Sequence, residues 1–207
     1  MHLARESYKL LPMIPALLRI LSAIAYRIVT TLYVQSDSIG LLNFAPLAAI
    51  ALCSAAYLPT KYKFTVPMIA LLVSDIVLNI HYGFSMLSPF VLSHYIAFAV
   101  IGCLGLLLQR RPSLKTLLPA SLAASLIFYV ATNTVSWIFD PAYVKNFAGF
   151  IQAQTIGHPA WAATPSWMFF RNTAISDLLF TALFVGCMHL GRSTAQSRAA
   201  EALPRPA

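Results

Sequence analysis

Little of this sequence is charged. Six acidic and fourteen basic residues make up 10% of its 207 positions, while 59% are hydrophobic. A soluble domain carries about 25% charged residues, so water cannot cover most of this surface and lipid must take its place. Cysteine is sparse as well. Cys53, Cys103 and Cys187 all fall in apolar stretches, which leaves no disulfide framework and no metal-ligand spacing. None of the eight glycines opens a phosphate-cradling loop, so the chain does not itself hydrolyse nucleotides. No His-Glu-x-x-His zinc motif and no Gly-x-Ser-x-Gly nucleophile elbow is present. These absences predict a non-enzyme without cofactor or metal. The net charge of +8 does not point to nucleic acid either, because the basic residues stand between apolar segments rather than on one face.

What is present is a series of long apolar stretches. A membrane-crossing helix needs roughly 17–25 mostly apolar residues, and six stretches qualify: about 11–34, 42–58, 64–81, 91–108, 114–138 and 168–190. Arg19 and Arg27 interrupt the first, and the second is short and close enough to the third to form a tight hairpin. The sequence therefore predicts an all-α fold, a polytopic integral membrane bundle of six transmembrane helices over 11–190. Residues 1–10 form a cytoplasmic leader. Residues 191–207, rich in Ala, Pro, Ser and Arg, are expected to be a disordered tail.

Direction follows from Lys and Arg in the short loops. Ten of the fourteen basic residues fall on one side of the six spans: Arg5, Lys9, Lys61, Lys63, Arg110, Arg111, Lys115, Arg192, Arg198 and Arg205. The other side offers Lys145, beside Asp37 and Asp140. Both termini are expected in the cytoplasm, with the protein multi-pass in the cell's inner membrane. A cleaved signal peptide is the rival reading of the leader, since Ala23-Ile24-Ala25 resembles a cleavage site. Arg19 would break the apolar core of such a peptide.

Pro46, Pro67 and Pro119 fall near the starts of the second, third and fifth stretches, where neighbouring groups can satisfy the freed backbone. The loop 139–167 is the one long connection, and Phe147, Phe150, Trp161 and Trp167 make it too apolar for a solvated linker. It is expected to lie on the bilayer surface or fold over the bundle as a lid, and the plainer alternative is an interfacial aromatic belt. Ser74-Asp75-Ile76 in the third stretch is echoed by Ser176-Asp177-Leu178 in the sixth, a thin hint of an inverted repeat.

On this topology Arg27, Asn43, Asp75, Asn79, His94, Asn133, Arg171, Asn172 and Asp177 all map to the outer half of the membrane or its rim. Intramembrane ionisable groups are rare and usually mark a pocket or pathway. Positions four apart share a helix face, so Asp75 with Asn79, Tyr129 with Asn133 and Trp137, and Thr173 with Asp177 and Thr181 form stripes. One reading puts Asp75, Asn133 and Asp177 in a solute pocket. Asn43 and Asn79 support them, Trp137 or Tyr129 stacks on a planar ligand, and Arg27 or Arg171 neutralises a carboxylate or a ligand anion. The other reading makes them glue between helices, at couplings averaging about 0.6 kcal/mol. A charge at mid-bilayer costs roughly 2.5–3.5 kcal/mol on insertion scales, which favours the pocket. The small-residue faces, Ala45-Ala49-Cys53 and Ala51-Ala55, permit close helix approach, within the bundle or against a partner.

Asn43-Phe44-Ala45-Pro46, the stretch from Pro67 to Ser74-Asp75, Thr132-Asn133 with Trp137, and Phe169-Phe170-Arg171-Asn172-Thr173 leading to Asp177 form an ordered set. Over about residues 11–190 it resembles an uncharacterised bacterial family of six-helix proteins ascribed to transport. Those proteins are themselves similar to the substrate-binding S components of energy-coupling factor (ECF) transporters. The resemblance implies a six-helix bundle binding a vitamin-like or metal-ion solute near its outer face, with import driven by a separate membrane coupling subunit and ATPases. One departure stands against the energising partner: many S components carry Ala-x-x-x-Ala on the first helix, and residues 11–34 contain none. The expected function is a solute-binding subunit of an uptake system. The alternative is a non-catalytic membrane scaffold or assembly factor.

Overall fold

The computed structural model describes residues 20–22, 24–26, 28–29, 45–83, 85–158 and 164–201, and every regular element among them is helical. Helix α1 (Leu47–Tyr57) follows Pro46 and ends where Leu58 turns extended ahead of Pro59. Helix α2 (Thr65–Tyr82) accommodates Pro67 in its first turn, where a backbone N–H would lack a helical partner in any case. It stops at Gly83, whose φ of 70° is the left-handed cap that glycine adopts without strain. Helix α3 (Pro89–Leu108) opens with proline in its first turn, and the Ser88 hydroxyl accepts from Val91 N at 3.3 Å. Helix α4 (Leu114–Phe139) begins with a capping box between Ser113 and Thr116. Helix α5 (Phe147–Gln154) is capped by Asn146, which accepts from Gly149 N at 2.8 Å. Helix α6 runs from Ser166 to Glu201.

The chain doubles back on itself, so the turns sort to two ends. At the basic end, Lys63 donates to Gln109 and the Tyr57 hydroxyl reaches the Pro112 carbonyl at 3.4 Å. The α1–α2 and α3–α4 turns are thereby joined, gathering Lys61, Lys63, Arg110, Arg111 and Lys115. The α2–α3 turn and α5 lie at the opposite, loop end.

Helix α1 is the buried axis. Ala48 through Ala56 are all enclosed. Ala49, Ile50 and Cys53 pack with Phe180 and Phe184 of α6, while Ala48 and Leu52 pack with Phe98 and Ile101 of α3 and Leu117 of α4. The small-residue faces of this helix are therefore used inside the bundle. Gly105 of α3 shows how close the approach is, since a Cβ there would stand 2.5 Å from the Leu52 carbonyl oxygen and 2.8 Å from Ala55 Cβ. Gly105→Val is expected to destabilise the fold by about 1–3 kcal/mol, the usual cost of overpacking. Thermal unfolding in detergent would show it as a lowered midpoint.

The outer faces are as apolar as the interior. Leu72, Ile76 and Ile80 on α2, Leu92, Ile96 and Val100 on α3, Leu122, Leu126 and Val130 on α4, and Ile175, Leu179 and Leu183 on α6 are all exposed at four-residue spacing. Contiguous apolar surface of this extent marks contact with lipid or protein rather than water.

The structure differs from the sequence reading at three places. The expected second span, 42–58, is helical over Leu47–Tyr57, and residues 41–44 lie outside the described residues. Eleven residues rise only about 16 Å against roughly 30 Å of hydrocarbon, so α1 is a buried half-helix. Among the described residues three helices have the length and composition of a full span, and α1 and α2 are shorter apolar helices. The tail expected to be disordered is helical as far as Glu201. Its Ala, Arg and Gln are strong helix formers, and a helix already nucleated by the span extends at little cost. The long loop contains α5. Most of the first expected span lies outside the described residues, although residues 20–22, 24–26 and 28–29 are helical.

Candidate functional site

Two carboxylates lie deep in the bundle, in different surroundings. Asp177 of α6 is 0% exposed. Its Oδ1 accepts from the Ala49 amide at 2.9 Å and its Oδ2 from the Ser125 hydroxyl at 2.7 Å. The first amides of a helix have no partner within it and carry the positive end of its dipole. Pro46, at the cap position of α1, offers no side-chain bond, so Asp177 supplies from across the bundle what a local cap would supply. Ser125 has one proton for two acceptors, Asp177 Oδ2 and the Ser121 carbonyl at 3.0 Å. One turn further along α6, Thr181 donates to Ser121 Oγ at 3.0 Å and lies 3.9 Å from Cys53 Sγ. This ladder of short polar groups ties α1, α4 and α6 together.

Asp75 of α2 is 3% exposed, and its Oδ2 stands 3.9 Å from His94 Nδ1 on α3. That is an ionic contact when the imidazole is protonated, and it is too long for a hydrogen bond. The His94 ring stacks on Phe128 of α4, with centroids 5.5 Å apart and planes at 28°. Phe128 in turn meets Phe98 edge-on. The carboxylate, the imidazole and an aromatic face thus converge from three helices, with His94 partly exposed. Asn79, one turn beyond Asp75, directs its Nδ2 at Met86 Sδ, 3.1 Å away.

The stripe Tyr129, Asn133 and Trp137 turns toward the segment containing α5. Tyr129 donates to the Gln154 carbonyl and its ring meets Phe170 at 5.2 Å. Trp137 donates to the Val144 carbonyl at 3.0 Å and meets Phe150 edge-on. Asn133 bonds the Tyr129 carbonyl of its own helix at 2.9 Å. Lys145 caps the carboxyl end of α4 by donating to the Trp137 and Asp140 carbonyls, a favourable place for a cation. Tyr143 packs edge-on against His158. Burial pushes its phenol above the ordinary value, and the Asp140 charge adds to the rise.

Arg171 forks both Nε and Nη2 onto Asn172 Oδ1, at 3.2 and 3.1 Å, and lies over the Trp167 ring. Among the described residues its partners are an amide and an indole. Arg27 and Asn43 lie outside the described residues. The structure therefore joins Asp75 to His94, joins Asp177 to Ser125 and α1, and sets Trp137 against the strap, the segment 140–165 that contains α5. Four contributors escaped the sequence reading: Ser121, Ser125, Phe128 and the Ala49 amide. Serine and phenylalanine are ordinary on a membrane helix, and no side-chain pattern marks a backbone amide. The spacing of Ser121 and Ser125, four residues apart on the face that meets α6, is the one available signal. Among the described residues no three His, Cys, Asp or Glu side chains gather as a metal site would need.

Pro89–Leu108, Leu114–Phe139 and Ser166–Gly191 are long and apolar enough to cross a membrane, and with their apolar outer faces they define a helical membrane protein. The chain belongs to a family of unknown function, DUF6580, whose model matches residues 9–200. No curated protein and no solved structure matches it.

Proposed function

We propose that this protein is the solute-binding membrane subunit of an uptake system, similar to an S component, with its site at the loop end between α2, α3 and α4. The observation that carries the reading is the meeting of Asp75, His94 and Phe128. A buried carboxylate is expensive in an apolar bundle. Asp177 caps α1, whereas Asp75 lies 3.9 Å from a partly exposed imidazole whose ring stacks on Phe128. A carboxylate beside an aromatic face suits a cationic or donor-bearing planar solute. In this reading Asn79 and Asn133 border the site, Arg171 and Trp137 hold its rim, and Asp177 fixes the half-helix beneath it. Five apolar helices and the helical residues between 20 and 29 support the six-helix topology. The Lys and Arg bias supports an inner membrane orientation with both termini in the cytoplasm and the site outward. A coupling subunit and ATPases would supply the energy.

The scaffold reading needs docking surfaces, and the small-residue faces of α1 are enclosed in the bundle. Native mass spectrometry of gently purified protein separates the two. The uptake reading expects one small solute retained per chain. An empty protein carrying a stoichiometric protein subunit would favour the scaffold instead.

A further inference from the structure

The geometry points to α5 as an interfacial helix, seated in the boundary between headgroups and acyl chains at the loop end of the bundle. At about 100° per residue its eight residues divide into three arcs rather than two. Gly149, Phe150, Ala153 and Gln154 form the docked arc against α4, where Gln154 donates to Thr134 Oγ1 at 3.2 Å. A Cβ on Gly149 would collide with the Val144 carbonyl of the preceding turn and stand 3.4 Å from Trp137 Nε1 of α4, and Ala153 is buried. Phe147 and Ile151, four residues apart, form the second arc and are 77% and 42% exposed. Ala148, also exposed, lies on a third arc with Gln152, turned away from both.

A lid bathed in water would have no use for an exposed phenylalanine and isoleucine on one side and small or polar residues on the other. A helix with protein beneath it, lipid beside it and water above it needs all three arcs. The neighbouring elements expose apolar residues as well. Val144 just ahead of α5, Ile138 and Phe139 at the end of α4, and Trp167 at the start of α6 are exposed at the same end. Val130 and Ile175 are exposed on the spans themselves. Aromatic residues and an adjacent cation such as Lys145 are the usual composition of this level of a membrane. The occupant of the arc is thus the bilayer interface, and the strap is a membrane-anchored cover rather than a free flap.

The test places a nitroxide on the full chain in phosphatidylcholine–phosphatidylglycerol liposomes. Phe147→Cys, Ile151→Cys and Ala148→Cys are made with Cys103 and Cys187 replaced by alanine and the buried Cys53 retained. All three labelled positions are exposed, and the one ring contact replaced is that of Phe147 on Phe150. Collisions with apolar oxygen should exceed those with a water-soluble nickel chelate at 147 and 151, and the order should reverse at 148. Nickel collisions dominating at 147 and 151 would overturn the proposal in favour of a water-facing lid. Protection from both reagents would overturn it in favour of a covering protein, and spin–spin broadening at 147 would identify that protein as a second copy.

Discussion

Asp177→Ala should cost the folded bundle about 2–4 kcal/mol. The substitution strips the acceptor from the first amides of α1, which lie in the driest part of the molecule, and a buried donor left without a partner costs about 1–3 kcal/mol. It also opens a gap between α1, α4 and α6. Ser125 is not stranded, because its proton can turn fully to the Ser121 carbonyl 3.0 Å away. Asp177→Asn should be far milder, within about 1 kcal/mol. Its carbonyl oxygen can still accept from Ala49, and its amide can donate to Ser125 Oγ while that hydroxyl bonds Ser121. Reversible unfolding in mixed micelles would check the ordering. Equal losses for the two variants would mean that the negative charge, acting on the dipole of α1, matters more than the hydrogen bond.

Asp75→Asn should instead leave stability nearly unchanged and weaken binding of the retained solute by about 10- to 100-fold. A hydrogen bond to a charged group contributes about 1.5–3 kcal/mol, and each 1.4 kcal/mol is tenfold in affinity. Asparagine keeps the shape of the side chain and removes its charge, so the folded bundle retains its packing. His94→Ala should weaken binding as well, because it removes both the imidazole and the ring stacked on Phe128. Affinity measured by competition against the native solute would check both variants. An unchanged affinity in Asp75→Asn would remove this carboxylate from the site.

The contrast between the two aspartates explains what could and could not be read from the residues alone. Apolar runs of span length located α2, α3, α4 and the membrane part of α6, because period and length are properties of the chain itself. Asp75 and Asp177 stood out as ionisable groups within apolar stretches, and the fold buries both. Their roles were not legible, since the two lie in the same Ser-Asp context and differ only in what the fold brings against them. Asp177 meets the amino end of a half-helix, which could not be foreseen while 42–58 looked like a full span. Arg171 looked like a counter-ion because cations in apolar stretches usually pair. Its own neighbour Asn172 and the indole of Trp167 are closer at hand. The strap was apolar enough to be flagged, but the three-way division of α5 depends on which face Trp137 and Gly149 draw down.

The most direct test of this account compares Asp75→Asn and Asp177→Asn side by side, recording the retained small molecule by native mass spectrometry and the unfolding midpoint of each protein. The division proposed here predicts that Asp75→Asn arrives folded and empty, while Asp177→Asn arrives with its solute bound at close to wild-type occupancy. A folded Asp75→Asn protein that still carries its solute, or a solute lost only from Asp177→Asn, would contradict it.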